Sequence, residues 1–432
     1  MKMRWISMLF LCVILLSACN NSIRPKAVPA ANMGEDASID EISHESVTSP
    51  KPIEIQITAV GDVMVHGPQL KAQYDRISGQ FDFHNNFQFI KPYIESADLA
   101  LLNLETTFGG EEKGYSSFPR FNSPDSLAEA LKTAGFDVAV TANNHTIDTG
   151  MDGVVRTLEV LQAQGFKTIG TRKSVEESRF LIEDVQGIKV GITAYTYETP
   201  AYGKNKTINA LIMPSVLEPL INSFRFDRWK EDLSQIKSTI DAMRVAGAEI
   251  IVFYLHWGEE FQRSPNQSQK QIAQDLNAHG VDIIFGSHPH VLQPIEWIKH
   301  PDHDHQTLVV YSLGNFLSNQ RYEILKNRYT EDGMLVHIKI QKDLVSNGTV
   351  ISHVGYQPTW VHKYVRGGKR IFEILPLPQA LQNPQVFHLS SSDAQHRAKL
   401  SYHNTTSLLQ QELPGSMPFS GPKRKVHKND IE

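Results

Sequence analysis

The chain has 432 residues, 41% of them hydrophobic, with a formal net charge of −5. That length accommodates one large α/β domain with tails or two average domains, and the apolar content is ample for a sizeable core. Lys and Arg are scattered, and the one basic cluster, Lys423-Arg424-Lys425, lies in a polar C-terminal tail, so the sequence carries no nucleic-acid footprint.

At the N-terminus, Lys2 and Arg4 precede an apolar run over residues 5–16, followed by Leu16-Ser17-Ala18-Cys19. A charged start, a short apolar middle and small residues before a cleavage point describe a secretory signal, and the run is shorter than the ~20 residues of a spanning helix. Leu-Ser-Ala-Cys resembles a bacterial lipoprotein processing box. It implies that residues 1–19 are a signal and that lipid on Cys19 anchors an exported protein to the outer face of the cell membrane; the alternative is an ordinary secreted protein with a chance cysteine. Cys12 and Cys19 are the only cysteines, so the domain beyond them has neither a disulfide nor a thiolate ligand. Residues 20–52, rich in Ser, Pro, Ala, Asn and acids without apolar periodicity, read as a flexible tether.

The globular part is expected over residues 53–377. Residues 53–60 alternate and then turn apolar, a strand ending in Gly61-Asp62; residues 97–104 form a buried strand stopping at Glu105. Ser123-Pro124 opens a helix closed by Gly135, and a strand over 138–142 runs into Asn143-Asn144-His145. A helix over 151–164 follows, then a hairpin of 180–184 and 188–197 split by Gln186-Gly187. Residues 201–225 fit no pattern. A long amphipathic helix over 226–246 leads to a strand over 248–255 and then His256; Ser264-Pro265-Asn266-Gln267 reads as the capped start of a helix to about residue 279. The apolar run 281–285 stops at Gly286, and Ser287-His288-Pro289-His290 follows. Residues two apart on extended chain project to one side, so His288 and His290 are expected to face one point. Strands over 307–311, ending in Ser312-Leu313-Gly314-Asn315, and over 333–341 complete the pattern. Residues 378–432 read as a poorly ordered tail.

Five strand-like runs therefore end in Asp62, Glu105, Asn144-His145, His256 and His288-x-His290. In an open α/β sheet the carboxyl ends of strands gather on one rim, where ligands bind. Each strand end alone reads as a turn or helix cap. Together they offer carboxylates, a carboxamide and imidazoles, the ligand set for one or two divalent cations such as Mn, Fe(II) or Zn.

The wording Gly61-Asp62-Val63-Met64, Asn103-Leu104-Glu105, Ala142-Asn143-Asn144-His145, His256-Trp257-Gly258-x-Glu260, Gly286-Ser287-His288-Pro289-His290 and Ser312-Leu313-Gly314-Asn315-Phe316 resembles the CapA family of capsule or poly-γ-glutamate biosynthesis proteins, within the calcineurin-like metallophosphatase superfamily. The resemblance implies a four-layer α/β sandwich, two central mixed sheets flanked by helices. It implies that Glu105 bridges two metals, that Asn144, His256 and His288 complete one site, that Asp62 and His290 belong to the other, and that His145 is the acid beside the leaving group. The superfamily's first motif is Asp-x-His, whereas this chain has Asp62-Val63-Met64. A thioether is a poor partner for a hard cation, so either His66, on the same strand parity, supplies a ligand or that metal is weak or absent.

Asp148, three residues after His145, either orients an imidazole or caps the following helix. Arg120 and Asn315 are candidate substrate contacts, each with a bland alternative as a solvated arginine and a turn cap. The run His300-Pro301-Asp302-His303-Asp304-His305 reads as a solvated loop, and Trp257 as packing. Two functions follow. One is a metal-dependent, phosphoesterase-like hydrolase acting on an anionic polymer or phosphoester of the envelope. The other is a non-catalytic accessory subunit of a membrane polyglutamate synthase or exporter that binds polymer.

Overall fold

In the computed structural model the described residues are 50–412, all within the second of two units into which the chain divides, Ser49–Glu432. The expected signal segment, Cys19 and nearly all of the expected tether lie outside them. Among the described residues no helix is long and apolar enough to cross a membrane.

In chain order the strands are β1 (Ile53–Val63), β2 (Leu99–Leu104), β3 (Val138–Val140), β4 (Lys167–Ile169), β5 (Leu181–Val185), β6 (Ile188–Tyr197), β7 (Thr199–Tyr202), β8 (Asn205–Ile208) and β9 (Leu211–Ile212). They continue as β10 (Ser223–Phe224), β11 (Ile250–His256), β12 (Ile283–Ser287), β13 (Ile295–Lys299), β14 (Gln306–Val310), β15 (Asn315–Leu317), β16 (Asp332–Lys342), β17 (Thr349–Arg366) and β18 (Lys369–Pro376). The first sheet runs β18-β17-β16-β1-β2-β3-β4 with β15 beside β1, and the second β10-β6-β11-β12-β14-β13 with β5 beside β6. Both are mixed. β1 to β4 are parallel and β16 to β18 antiparallel, while β10, β6, β11, β12 and β14 are parallel and β5 and β13 antiparallel.

Period-two alternation builds the layers. Ile250, Val252 and Tyr254 of β11 join Ile55, Ile57 and Ala59 of β1 in one core between the sheets, while Ile251, Phe253 and Leu255 face outward. The outward set packs on the helices Trp229–Val245 and Gln267–Ala278 through Ile236, Ile240, Ile272 and Leu276. On the other flank Ala100 and Leu102 of β2 pack on Leu127 and Leu131 of the helix Ser126–Thr133. The result is the expected helix-sheet-sheet-helix sandwich, with each fully buried Ile or Leu contributing roughly 1.5–3 kcal/mol.

Three expectations need correction. Of the expected loose tail over 378–432, the described part, 378–412, is ordered and includes most of the helix Leu377–Gln382 and all of the helix Ser392–Glu412. The longer helix buries Ala394, Ala398, Ser401, Thr405 and Leu409, a stripe too small and polar to register as apolar periodicity. The helix after residue 264 is capped by Asn266, whose side chain accepts the Gln269 N–H, not by Ser264. Residues 201–225, which fit no pattern from sequence, hold most of the three-stranded sheet β7-β8-β9, which begins at Thr199, and the short strand β10.

Candidate metal centre

The parallel strands bring their carboxyl ends to one cleft between the sheets. β1 and β2 pair in a register that skips Gly61 between Val60 and Asp62, and this irregularity sets Asp62 opposite Asn103 and Asn315. Gly61 is required there, since a Cβ would lie 1.9 Å from the Gly314 carbonyl oxygen. On the second sheet His256 of β11 pairs with Ser287 of β12 and Thr196 of β6. Gly286 leaves room for the Trp257 indole, which donates to the Tyr311 carbonyl at 3.0 Å and fills the core as expected.

His288 and His290 do converge, with ring centroids 6.0 Å apart, but not by extended alternation. Strand β12 stops at Ser287, and His288 and His290 adopt left-handed backbone with φ of 97° and 56°. Such conformations are costly for residues with a Cβ and collect at functional sites. Asn315 helps to hold the turn, its Nδ2 donating to the carbonyls of His290 at 3.2 Å and Thr330 at 3.0 Å.

Asp62, Glu105, Asn144, His145, His256, His288 and His290 are all buried. One Asp62 oxygen accepts from Asn103 Nδ2 at 2.8 Å and the other faces His290 Nδ1 at 2.9 Å. His256 has Ser287 Oγ at 2.9 Å from Nδ1 and Asn144 Oδ1 at 2.9 Å from Nε2. At the centre is Glu105, whose Oε1 is buried without a hydrogen-bond partner, 3.6 Å from His256 Nε2 and 3.7 Å from His290 Nε2. Two triads have ligand atoms close enough to hold a cation, Asp62-Glu105-His256 and Glu105-His288-His290, and Glu105 is common to both. The grouping that the resemblance implies is also seen as proximity: Asp62 Oδ2 faces His290 Nδ1 at 2.9 Å, and the His256 and His288 rings lie 4.8 Å apart.

Burial drives both ligand types toward neutrality. It pushes the Glu105 carboxyl well above the usual range, aided by the charge of Asp62, and holds His256 and His288 well below theirs, aided by neighbouring imidazoles. An orphaned carboxylate oxygen facing imidazole nitrogens, in a pocket where burial disfavours the protonated forms of His256 and His288, fits a divalent cation, which supplies positive charge and satisfies the oxygen.

Beside the triads His145 Nδ1 donates to Asp148 Oδ2 at 2.7 Å, and that oxygen also accepts the Phe121 N–H at 2.6 Å. The Phe121 ring stands edge-on to both His145 and His66, with centroids 4.7 and 5.3 Å away. Asp148 thus orients an imidazole. His66 belongs to neither triad; its Nδ1 faces the Asn319 N–H at 3.2 Å, and burial lowers its pKa to about 4. Arg120 is exposed, and the 300–305 run is a mostly exposed loop. The sequence reading passed over Tyr197, whose hydroxyl lies 3.2 Å from His288 Nε2. It ends β6 beside His256, so the strand-end rule reaches it once a phenol is admitted as a site group. Asn103, Asn143 and Ser287, which hold the site's other groups, sat inside quoted motifs without a role; Asn143 ties its Nδ2 to the Leu104 carbonyl at 2.8 Å and its Oδ1 to the His145 N–H at 3.1 Å.

Among known proteins the chain is 28% identical over 309 residues to the capsule biosynthesis protein CapA of Bacillus anthracis, an alignment covering 70% of this chain and 66% of that protein, just under two thirds of its length. It is 25% identical over 340 residues to the PGA biosynthesis protein CapA of Bacillus subtilis strain 168, covering 73% of this chain and 81% of that one. Among solved structures it is similar to the calcineurin-like phosphoesterase YfkN of Bacillus subtilis, with a TM-score of 0.39 and 14% identity over 81% of this chain and 100% of that chain. A phosphatase of Mycoplasma pneumoniae gives a TM-score of 0.37 at 13% identity, over 76% of this chain and 96% of that chain. The family model for the bacterial capsule synthesis protein PGA_cap matches residues 56–320, more than half of the chain, and the chain belongs to that family.

Proposed function

We propose that the chain is an exported, metal-dependent hydrolase of capsule or poly-γ-glutamate biosynthesis, anchored by lipid on Cys19 and acting on an ester or amide bond of an anionic envelope polymer. The observation that carries this reading is Glu105 Oε1, buried, unpartnered and shared by two triads. One or two divalent cations held there by Asp62, Glu105, His256, His288 and His290 would acidify water and offset negative charge developing at a phosphoryl or carbonyl centre. The chain's own residues supply the rest. His145, fixed by Asp148 and Phe121, presents Nε2 as a proton donor to a departing group. Tyr197, whose hydroxyl burial keeps protonated, would accept the Nε2–H of a His288 that holds a cation through its unpartnered Nδ1, and so fix that imidazole's tautomer.

The test is elemental analysis of the purified full chain beside turnover of a phosphodiester and of a γ-glutamyl amide. Bound metal with metal-dependent hydrolysis of either supports the reading; a metal-bearing protein inert toward both, in a wide screen, sinks it. The accessory reading, polymer binding without turnover alongside membrane synthase or exporter subunits, is favoured by one observation: position 64 is a methionine, and His66 stands outside both triads. For the anchor, Cys19→Ser is expected to release the protein into the medium, and retention at the membrane would refute lipidation there.

A further inference from the structure

Between β15 and β16 the chain makes one surface turn, the short helix Tyr322–Leu325, then Lys326 in left-handed backbone and the helical turn Arg328–Glu331. Every residue from 322 to 329 except Asn327 is exposed. Surface turns are usually polar. This one presents Tyr322, Ile324, Leu325 and Tyr329 to water, with Ile324 58% exposed. Single apolar residues on a surface need no explanation, but several together beside cations mark an interaction surface.

Charge says of which kind. The turn's one acid, Glu323, is paired with the Arg397 guanidinium. Lys326 and Arg328 have no acidic partner among the described residues; Arg328 lies over the Tyr322 ring, 4.2 Å from its centroid, and Lys326 is 5.7 Å from the same ring. Both cations, with Asn327, Leu400 and Asn404, line a cavity of about 430 Å³, room for a phosphate headgroup. The base of the turn is rigid. Buried Arg321 donates to Glu331 and to the Val361 carbonyl, and Asn315 Nδ2 donates to Gln320 Oε1 and to the Thr330 carbonyl, one on each side of the turn. The apolar side chains are thus held out in water by a fixed frame.

We infer that this turn docks on the surface of an anionic phospholipid bilayer. Ile324 and Leu325 enter the acyl boundary, Tyr322 and Tyr329 sit at headgroup depth, and Lys326 and Arg328 meet lipid phosphates. Aliphatic, aromatic and cationic side chains on one turn match the layers of a bilayer, and Lys423-Arg424-Lys425 adds charge of the same sign later in the chain. The inference rests on the reading above in that it takes the chain to be exported and held at a membrane. It adds an orientation: Asn315, which ties the base of the turn, also holds the His290 carbonyl, so docking brings that side of the metal cleft close to the lipid surface.

The test is sedimentation of the full Cys19→Ser chain, which has no lipid of its own, with vesicles of phosphatidylcholine alone or of an equimolar mixture with phosphatidylglycerol. Binding to the mixed vesicles is expected, weaker without phosphatidylglycerol and weaker in high salt. Ile324→Ser with Leu325→Ser, and separately Lys326→Glu with Arg328→Glu, are each expected to raise the lipid concentration for half-binding about tenfold or more, with metal content and melting temperature unchanged. Leu344→Ser with Val345→Ser, also exposed but in the turn at the far end of β16, is expected to bind like the parent. All variants share one N-terminus, so a difference among them belongs to the turn. Equal binding in the parent and both variants of the turn overturns the proposal, as does an equal loss in the Leu344/Val345 variant. A dimer that the apolar variant dissociates, without vesicle binding by the parent, overturns it in favour of a second copy as the occupant. A chain without metal or turnover whose vesicle binding depends on the turn leaves the docking surface standing and removes the hydrolase reading.

Discussion

The two sheets bring different chemistry to the same cleft. The first contributes Asp62, Glu105, Asn144 and His145, mostly oxygen ligands; the second contributes His256, His288, His290 and Tyr197, mostly imidazole. Packing the sheets together buries both sets, and the same desolvation acts with opposite sign, raising Glu105 and lowering His256 and His288. Neither sheet alone makes a cation site. The site is a product of the sandwich, and its missing element is positive charge.

The strongest expected effect comes from the acid side. Glu105→Gln takes away the group shared by both triads, so elemental analysis is expected to show loss of bound metal, and turnover is expected to vanish with it. The pH dependence of stability gives an independent readout on metal-free protein. Glu105 is raised above its ordinary 4.5, so the folded state holds a proton that the unfolded state has lost; its contribution is full below 4.5 and is lost as pH rises toward the folded value. His256 and His288, lowered from 6.5, behave oppositely, and their contribution is complete once pH reaches 6.5. Above 6.5 the carboxyls therefore decide the slope, with Asp332, pushed up to about 8 by burial, adding in the same direction. Melting temperature of the metal-free chain is expected to fall from pH 6.5 upward, less steeply in Glu105→Gln. An equal slope in the variant would mean that Glu105 is already ionised and the charge argument is wrong.

Next in size are the groups beside the triads. His145→Ala is expected to lower kcat by about 10²–10⁴-fold while metal content holds, the range for loss of a general acid. Asp148→Asn, which keeps the shape but weakens the hold on the imidazole, is expected to cost about 10–100-fold. Full turnover in His145→Ala would remove the proton-donor role and leave the imidazole as packing against Phe121.

How much of this was legible depended on what kind of signal each residue leaves. The sandwich was readable because Ile53 to Val60 alternate and Ile250 to Leu255 form an unbroken apolar run, and the rim was readable because polar residues end such runs at Asp62, Glu105 and His256. The left-handed turns at His288 and His290 were not, since only glycine advertises that conformation in a sequence. Nor was the helix Ser392–Glu412, which buries Ala398, Ser401 and Thr405 where a sequence reader looks for Leu. Tyr197 was missed because its strand ends in a residue that ligates hard cations poorly, although it directly follows Thr196, the register partner of His256, and its ring stacks on that imidazole.

The smallest effect tests the joint between the two contributions. Tyr254 of β11 reaches across the inter-sheet core and donates its hydroxyl to the Val60 carbonyl at 2.7 Å, just ahead of the irregularity that aims Asp62. Burial holds that phenol well above its ordinary pKa, so it remains a donor at any physiological pH. Tyr254→Phe keeps the ring and its packing while removing the bond and leaving a buried carbonyl less satisfied. A loss of about 1–3 kcal/mol in unfolding free energy is expected, with denaturant m-value unchanged. Because Asp62 is also held by Asn103 and His290, its position survives the loss, and metal affinity is expected to weaken only severalfold, as judged by chelator competition. A large fall in metal affinity with little change in stability would reverse that ranking. It would make the tyrosine a positioning residue for Asp62, and the joint between the sheets part of the metal centre.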